Sequence, residues 1–212
     1  MFITFEGIEG CGKSTQLALL AAALQERSSP VTVTREPGGT RAGDAIRRLL
    51  LDTSAPGLDP LAELLLYLAD RAQHVRETVK PALAAGRIVL CDRFSDSTIA
   101  YQGYGRGGDV ARIRLLDEVA RDGCRPDLTF LLDCPVSLGL ERVRTRAATP
   151  EGTDRLEREP DAFHERVHAG FLKLAAAEPD RIVVIDSRLP MRENGARILD
   201  ETLRRLAAGA SR

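Results

Sequence analysis

The sequence predicts an α/β fold in which a parallel sheet is covered by helices on both faces. Three observations carry that expectation. Short runs rich in β-branched residues recur along the whole chain, longer stretches of helical periodicity separate them, and a glycine-rich loop joins the first run to the first helical stretch.

The runs are MFITFE at the start, Val31 to Glu36, Arg87 to Asp92, Asp127 to Asp133 and Arg181 to Asp186. Each reads as a short buried strand. Between them Leu61, Leu64, Leu65, Leu68 and Ala72 recur at three- and four-residue steps, as do Phe163, Val167, Phe171 and Leu174. That spacing marks apolar helix faces. Strand–helix alternation over the full length makes the sheet parallel and buries both of its faces. The chain has 212 residues, no internal repeat and no linker-like tract, so 1–212 is expected to form one domain.

Composition narrows the function classes. Hydrophobic residues make up 43% and charged residues 29%, as in ordinary soluble globular proteins. A net charge of −1 argues against broad adhesion to nucleic acid or to an anionic membrane. No apolar run reaches the ~18 residues of a membrane span, and no signal-like segment opens the chain, so a cytoplasmic protein is expected. Cys11, Cys91, Cys124 and Cys134 form no CxxC pair and are expected to be free thiols.

Several predicted strands end on an acidic residue: Glu6, Glu36, Asp92, Asp133 and Asp186. Ligands of open parallel sheets bind at that edge. Asp92 is expected to be functional, while Asp133 and Asp186 read equally well as turn caps.

The stretch GIEGCGKST, Gly7 to Thr15, has the Gly-x-x-x-x-Gly-Lys-Ser spacing of a polyphosphate loop, in the strand-to-helix setting that spacing requires. Gly7, Ile8, Glu9, Gly10, Cys11, Gly12 and Thr15 would wrap backbone N–H groups around phosphates at the helix N-terminus. Lys13 should reach the β and γ phosphates and Ser14 should ligate Mg²⁺. A second pattern, HERVH at His164 to His168, formally matches a zinc-protease helix. It lacks a third histidine downstream and an HxxGxxH extension, so both histidines are expected to be solvated or at the core edge beside Phe163, Val167 and Phe171. GYGRGG, Gly103 to Gly108, reads as a hinge rather than an RNA-binding tract. Neither a DxxG switch nor an NKxD base-reading motif occurs, which removes a regulatory GTPase.

FITFEGIEGCGKSTQ, TREPGGT, LLLYLADRAQHV, DRFSDSTIAYQG and DRLEREPDAFHERV together resemble the thymidylate kinases, over most of the chain. The resemblance implies a P-loop NTPase core with a five-stranded parallel sheet, a short mobile lid near 146–158, a homodimer, and phosphorylation of dTMP to dTDP with MgATP on the way to dTTP. Another P-loop deoxynucleoside or pyrimidine nucleotide kinase is the alternative. By this resemblance Glu9 lies near the acceptor sugar's 3′-hydroxyl, Arg47 and Arg93 hold the acceptor phosphate, and Asp92 sits by the Mg²⁺ with Ser14. Tyr67 stacks on thymine, Arg71, Thr98 and Gln102 read its edge, and Tyr101 crowds the sugar's 2′ position. Tyr67 also lies on a leucine-rich stripe and reads as core without the resemblance. Arg48 beside Arg47 leaves a one-residue ambiguity.

Some relatives carry an arginine inside the phosphate loop, but here that position offers neutral Cys11. The charge for the migrating phosphoryl group is therefore expected from Arg142, Arg144, Arg146 or Arg155 around the lid, with Arg155 as the catalytic choice and Arg142 on the nucleotide donor. A phosphate acceptor is already mostly dianionic near neutral pH, its second pKa being about 6, so the transfer needs no general base.

Overall fold

The computed structural model describes residues 1–54, 57–146 and 155–210. Most of the expected lid, 147–154, lies outside the described residues, and with it the lid's shape.

Five strands appear within a residue of their expected bounds: β1 Phe2–Glu6, β2 Val31–Arg35, β3 Ile88–Asp92, β4 Leu128–Asp133 and β5 Ile182–Asp186. They form one all-parallel sheet in the order β2-β3-β1-β4-β5. The chain steps outward from β1 to β2, returns to β3, then crosses β1 to reach β4 and β5. The crevice of such a sheet opens where the order reverses, beside the carboxyl end of β1. Register puts Asp92 opposite Phe5 there, two residues before the phosphate loop begins.

Helices α1 Lys13–Glu26, α2 Arg41–Leu51, α3 Pro60–His74 and α4 Lys80–Ala84 precede β3, and a π-helical turn, Val75–Val79, joins the last two. After β3 come the short α5 Ser95–Thr98, a π-helical stretch Ile99–Gly105, and α6 Val110–Arg121. Helices α7 Val136–Arg146, α8 Asp161–Ala177 and α9 Met191–Ala210 complete the described chain.

Strand periodicity divides the interior. Ile3 and Phe5 of β1, with Ile88 and Leu90 of β3, belong to the larger apolar cluster, whereas Phe2, Val89 and Cys91 join Val75, Val79 and Phe94 in the smaller one. All four cysteines are buried free thiols, as expected.

Two expectations change. On α3, Leu64 and Leu68 are buried, but Leu61 and Leu65 are 57% and 49% exposed. The stripe is wider than the groove that α2 and α6 offer it. Residues 103–108 are not a hinge. Gly103 and Gly105 end the π-helical stretch, which packs tightly on α8, and a Cβ on Gly105 would come within 2.7 Å of Val167 and 2.8 Å of Phe163. The glycine permits backbone contact where a side chain would not fit.

A buried polar cluster ties the β2–α2 loop to α3. Glu36 accepts from Arg71 Nε at 2.9 Å and faces His74 Nδ1 at 2.8 Å, while His74 Nε2 meets Thr34 Oγ1 at 2.7 Å. Next to them Asp70 takes the Gly38 N–H at 2.9 Å, and its other oxygen has no hydrogen-bond partner among the described residues. Burial, then the Glu36 charge, pushes the Asp70 carboxyl from its ordinary 3.8 up to about 7. The folded state therefore keeps a proton that the unfolded chain releases near pH 4. Stability is highest below that pH and falls as pH rises through about 7. Asp70→Asn keeps the acceptor for Gly38 and cannot ionise. Urea unfolding at pH 8 should find the variant more stable than wild type by on the order of 3 kcal/mol, a gap that closes toward pH 4.

Candidate active site

Helix α1 begins at Lys13 with Gly12 as its N-cap, and neither a capping side chain nor an acidic residue occupies its first turn. Its N–H groups and positive end are therefore open to an anion. The loop before it rests on α7: Gly10 takes a φ of 68°, and a Cβ there would meet the Gly139 carbonyl at 2.2 Å. Only glycine fits. Lys13 Nζ donates to the carbonyls of Ile8 at 2.7 Å and Gly7 at 3.1 Å, so the ammonium sits within the loop it is meant to serve.

Ser14, one residue on, donates from Oγ to Asp92 Oδ2 at 2.5 Å. Arg93, next to Asp92, holds a left-handed backbone at φ 69°. Its guanidinium donates to Gly7 O at 2.9 Å, Ser97 Oγ at 3.1 Å and Glu9 Oε1 at 3.1 Å, and lies over the Tyr101 ring at 5.1 Å. Tyr101 donates its hydroxyl to the same Glu9 oxygen. Burial pushes Glu9 up, but His164 and the charges of Arg93 and Lys13 outweigh it and leave the carboxyl at about 2. Glu9 is an acceptor at every physiological pH. The neighbouring strand end, Glu6, takes Phe94 N–H and Ser97 Oγ at 2.7 and 2.6 Å; burial and then Asp96 push it up to about 8.

Glu9, Lys13, Ser14, Asp92, Arg93 and Tyr101 line one cavity of about 1490 Å³, whose walls also include Thr15, Arg47, Tyr67, Arg71, Thr98, Gln102 and Arg142. A pocket for one small ligand measures roughly 300–1,000 Å³, so this cavity has room for two nucleotides. Arg47, not Arg48, faces it, with Nη1 on the Pro37 carbonyl at 2.9 Å.

The family model for thymidylate kinase matches residues 5–198. The thymidylate kinase of Trichlorobacter lovleyi is 56% identical over 98% of this chain and 99% of its own, and that of Geobacter sulfurreducens is 51% identical over 97% of each. The chain belongs to the thymidylate kinase family. A solved thymidylate kinase from Ehrlichia chaffeensis superposes with a TM-score of 0.77 at 39% identity, covering 96% of this chain and 98% of that one.

Within this thymidylate kinase family member the two candidate lid arginines part company. Arg142 of α7 reaches the loop, with Nη1 on the Gly10 carbonyl at 3.2 Å. Arg155 does not. Its Nε donates to the Leu50 carbonyl at 2.9 Å and its Nη2 to Glu63 at 2.5 Å, and it lies outside the cavity wall. One buried carboxylate and one carbonyl hold it there, and Glu63 also collects Arg106, which pairs with Glu159. The side chain of Arg155 is thus committed to α2 and α3 in this structure.

The base-side residues have partners that the sequence did not announce. Arg71, 2% exposed, places Nε and Nη2 on Glu36 and Nη1 on Thr98 at 3.0 Å and Asp117 at 2.6 Å. Four of its five N–H groups are thereby engaged. Gln102 donates Nε2 to Glu63 at 2.9 Å, which fixes its amide so that the carbonyl is left to accept. Glu36, Glu63 and Asp117 were missed as functional residues. Glu36 had a signal as an acidic strand end, and Glu63 had one on α3, one helical turn before Tyr67 and two before Arg71; Asp117 had none.

HERVH is no zinc site. His164 is fully buried, with Nδ1 3.4 Å from Glu9 Oε2, whereas His168 Nε2 meets Asp133 Oδ1 at 2.6 Å. The two rings serve different carboxylates, and no group of three His, Cys, Asp or Glu able to hold a metal occurs among the described residues. His164 is in the core, not at its edge. Asp133 pairs with His168 and Asp186 caps its own turn through Arg188 N–H at 2.9 Å, both structural roles.

Proposed function

We propose that the chain transfers the γ-phosphoryl group of ATP in line to the phosphate of dTMP, giving ADP and dTDP. The observation that carries this reading is the single cavity shared by the phosphate loop and the pocket of Tyr67, Arg71, Thr98, Gln102 and Tyr101. The donor lies on Gly7 to Thr15 with Arg142. The acceptor phosphate falls to Arg47 and Arg93, its sugar 3′-hydroxyl to Glu9, and its 2′ edge to Tyr101.

The transfer needs charge neutralisation more than proton movement. Lys13, Arg93, Arg47 and Arg142 supply four cations around the two phosphates, and arginine binds phosphate bidentately without losing its charge. A glutamate as acidic as Glu9 cannot act as a proton donor at neutral pH and serves as a hydrogen-bond acceptor. Ser14 and Asp92 offer adjacent hard oxygens, a donor set suited to Mg²⁺, which binds through one or two protein groups together with substrate phosphates. When bound there, Mg²⁺ would neutralise charge on the donor phosphates. Arg155 would act on the donor only after leaving Glu63, so its catalytic role depends on lid closure.

The homodimer belongs to the same reading. Neighbouring helices α3 and α6 expose Leu61, Leu65, Leu115 and Val119, the last two at 72% and 79%, and self-association would cover them. No helix among the described residues is long and apolar enough to cross a membrane. A single unit of 1–212 working in the cytoplasm belongs to the same proposal.

An ADP-release screen against dTMP, dUMP, dCMP, dGMP and AMP tests the assignment. The remaining Arg71 donor suits the O4 acceptor of thymine, and the Gln102 carbonyl suits N3–H. Cytosine reverses the first and lacks the second, at about 1–3 kcal/mol for each unpaired group. Loss of the 5-methyl group in dUMP costs nearer ~1 kcal/mol, about a factor of five in kcat/KM. The expected order is dTMP, then dUMP, then dCMP far below. Equal turnover of dCMP and dUMP would move the assignment to a broader pyrimidine nucleotide kinase.

A further inference from the structure

Helix α8 sends one polar side chain into the active site from behind. His164 is fully buried, and its Nδ1 lies 3.4 Å from Glu9 Oε2, at ion-pair distance without hydrogen-bond geometry. Glu9 is gripped on its other oxygen, Oε1, by the Tyr101 hydroxyl and Arg93 Nη2. Within the protein, Oε2 is therefore served by His164 alone among the described residues. Phe163, the preceding residue, packs its ring edge-on against Tyr101 at 6.1 Å and against His164 at 5.5 Å. One turn of α8 thus fixes both Glu9 and the tyrosine that shares it.

We propose that His164 is a positioning residue for the acceptor nucleotide, holding the Glu9 carboxylate from behind so that it faces the acceptor sugar. The proposal rests on the reading above that Glu9 meets the sugar 3′-hydroxyl. A buried imidazole with no role would be a poor neighbour for a buried carboxylate, since each would lack a partner. Beside Glu9 each offsets the other. Burial pulls His164 down, but Glu9, the Glu159 carbonyl and Asp161 outweigh it and raise the imidazole above its ordinary value, toward the cation. Arg93, Lys13 and Tyr101 face Glu9 from the opposite side. The charge of Glu9 is balanced from two elements, the loop–β3 side and α8.

The test compares kcat/KM for dTMP with that for 3′-deoxy-dTMP, which lacks only the hydroxyl in question. Wild type should prefer dTMP by roughly ten- to a hundredfold, the range of a hydrogen bond to a charged group. Glu9→Ala should bring the ratio near one. His164→Leu should lower the ratio by about tenfold, His164→Gln, which keeps an N–H donor, should recover part of it, and the double variant should be no worse than Glu9→Ala. Thermal unfolding checks each variant, and if His164→Leu does not fold, His164→Gln against wild type gives the reading. A wild-type ratio in folded His164 variants, or losses that add in the double variant, overturns the proposal while leaving Glu9 in place. A wild-type ratio in Glu9→Ala overturns the acceptor reading of Glu9 and the proposal with it.

Discussion

Lys13→Ala is expected to remove most turnover from a chain that stays folded. Lys13 is 8% exposed, and its ammonium contacts the carbonyls of Gly7 and Ile8 inside the loop. Removing it leaves the Ile8 carbonyl short of a donor, at a net cost of about 1 kcal/mol, while the Gly7 carbonyl keeps Arg93 Nη1 at 2.9 Å. Catalysis loses far more. In the transition state negative charge spreads over the equatorial phosphate oxygens, and a preorganised cation contributes most there. A fall in kcat of about 10³ is expected, with the KM for dTMP little changed because the proposed acceptor contacts are Arg47 and Arg93. ADP-release kinetics beside thermal unfolding give both quantities. A folded variant with near-normal kcat would show that the loop does not handle the transferred phosphate through Lys13.

Arg71→Ala should have the largest effect on stability. Arg71 is fully enclosed and sits between Glu36 and Asp117, themselves only 3% and 5% exposed. These charges hold Arg71 well above its already high ordinary value, so it is always a cation. Truncation leaves two buried carboxylates facing a void, with Thr98 and the Glu36–His74 pair beside them. Breaking a buried ion pair by removing one partner costs about 3–5 kcal/mol, and a domain of this size has only about 5–15 to lose. Urea unfolding should show a lower midpoint at unchanged slope. Adding Glu36→Gln and Asp117→Asn to the variant should recover part of the loss, since neutral partners no longer need the cation. A variant as stable as wild type, altered only in its choice between dUMP and dCMP, would make Arg71 a base reader with no structural duty.

Much of the site was legible because it is local. The loop needs its glycines, lysine and serine within nine residues, and the five strands are short apolar runs of β-branched residues. Resemblance to the thymidylate kinases then named Arg47, Tyr67, Arg71, Arg93, Thr98, Tyr101 and Gln102, and all of them line the one cavity. The same reading placed Arg155 with the migrating phosphate, whereas its guanidinium here lies on Leu50 and Glu63. An arginine in a long connection can reach several carboxylates, and spacing does not choose among them.

Strand positions, the parallel sheet and the phosphate loop were decided by pattern along the chain, since hydrophobic period and backbone freedom act over a few residues. The partners of buried polar groups were decided only by folding. Glu36 meets Arg71 across 35 positions and Glu9 meets Tyr101 across 92, while His164 comes to Glu9 from a different helix altogether. A buried charge must find its counter-charge wherever the topology brings one. That is why the same histidine that looks peripheral in HERVH ends fully enclosed beside Glu9.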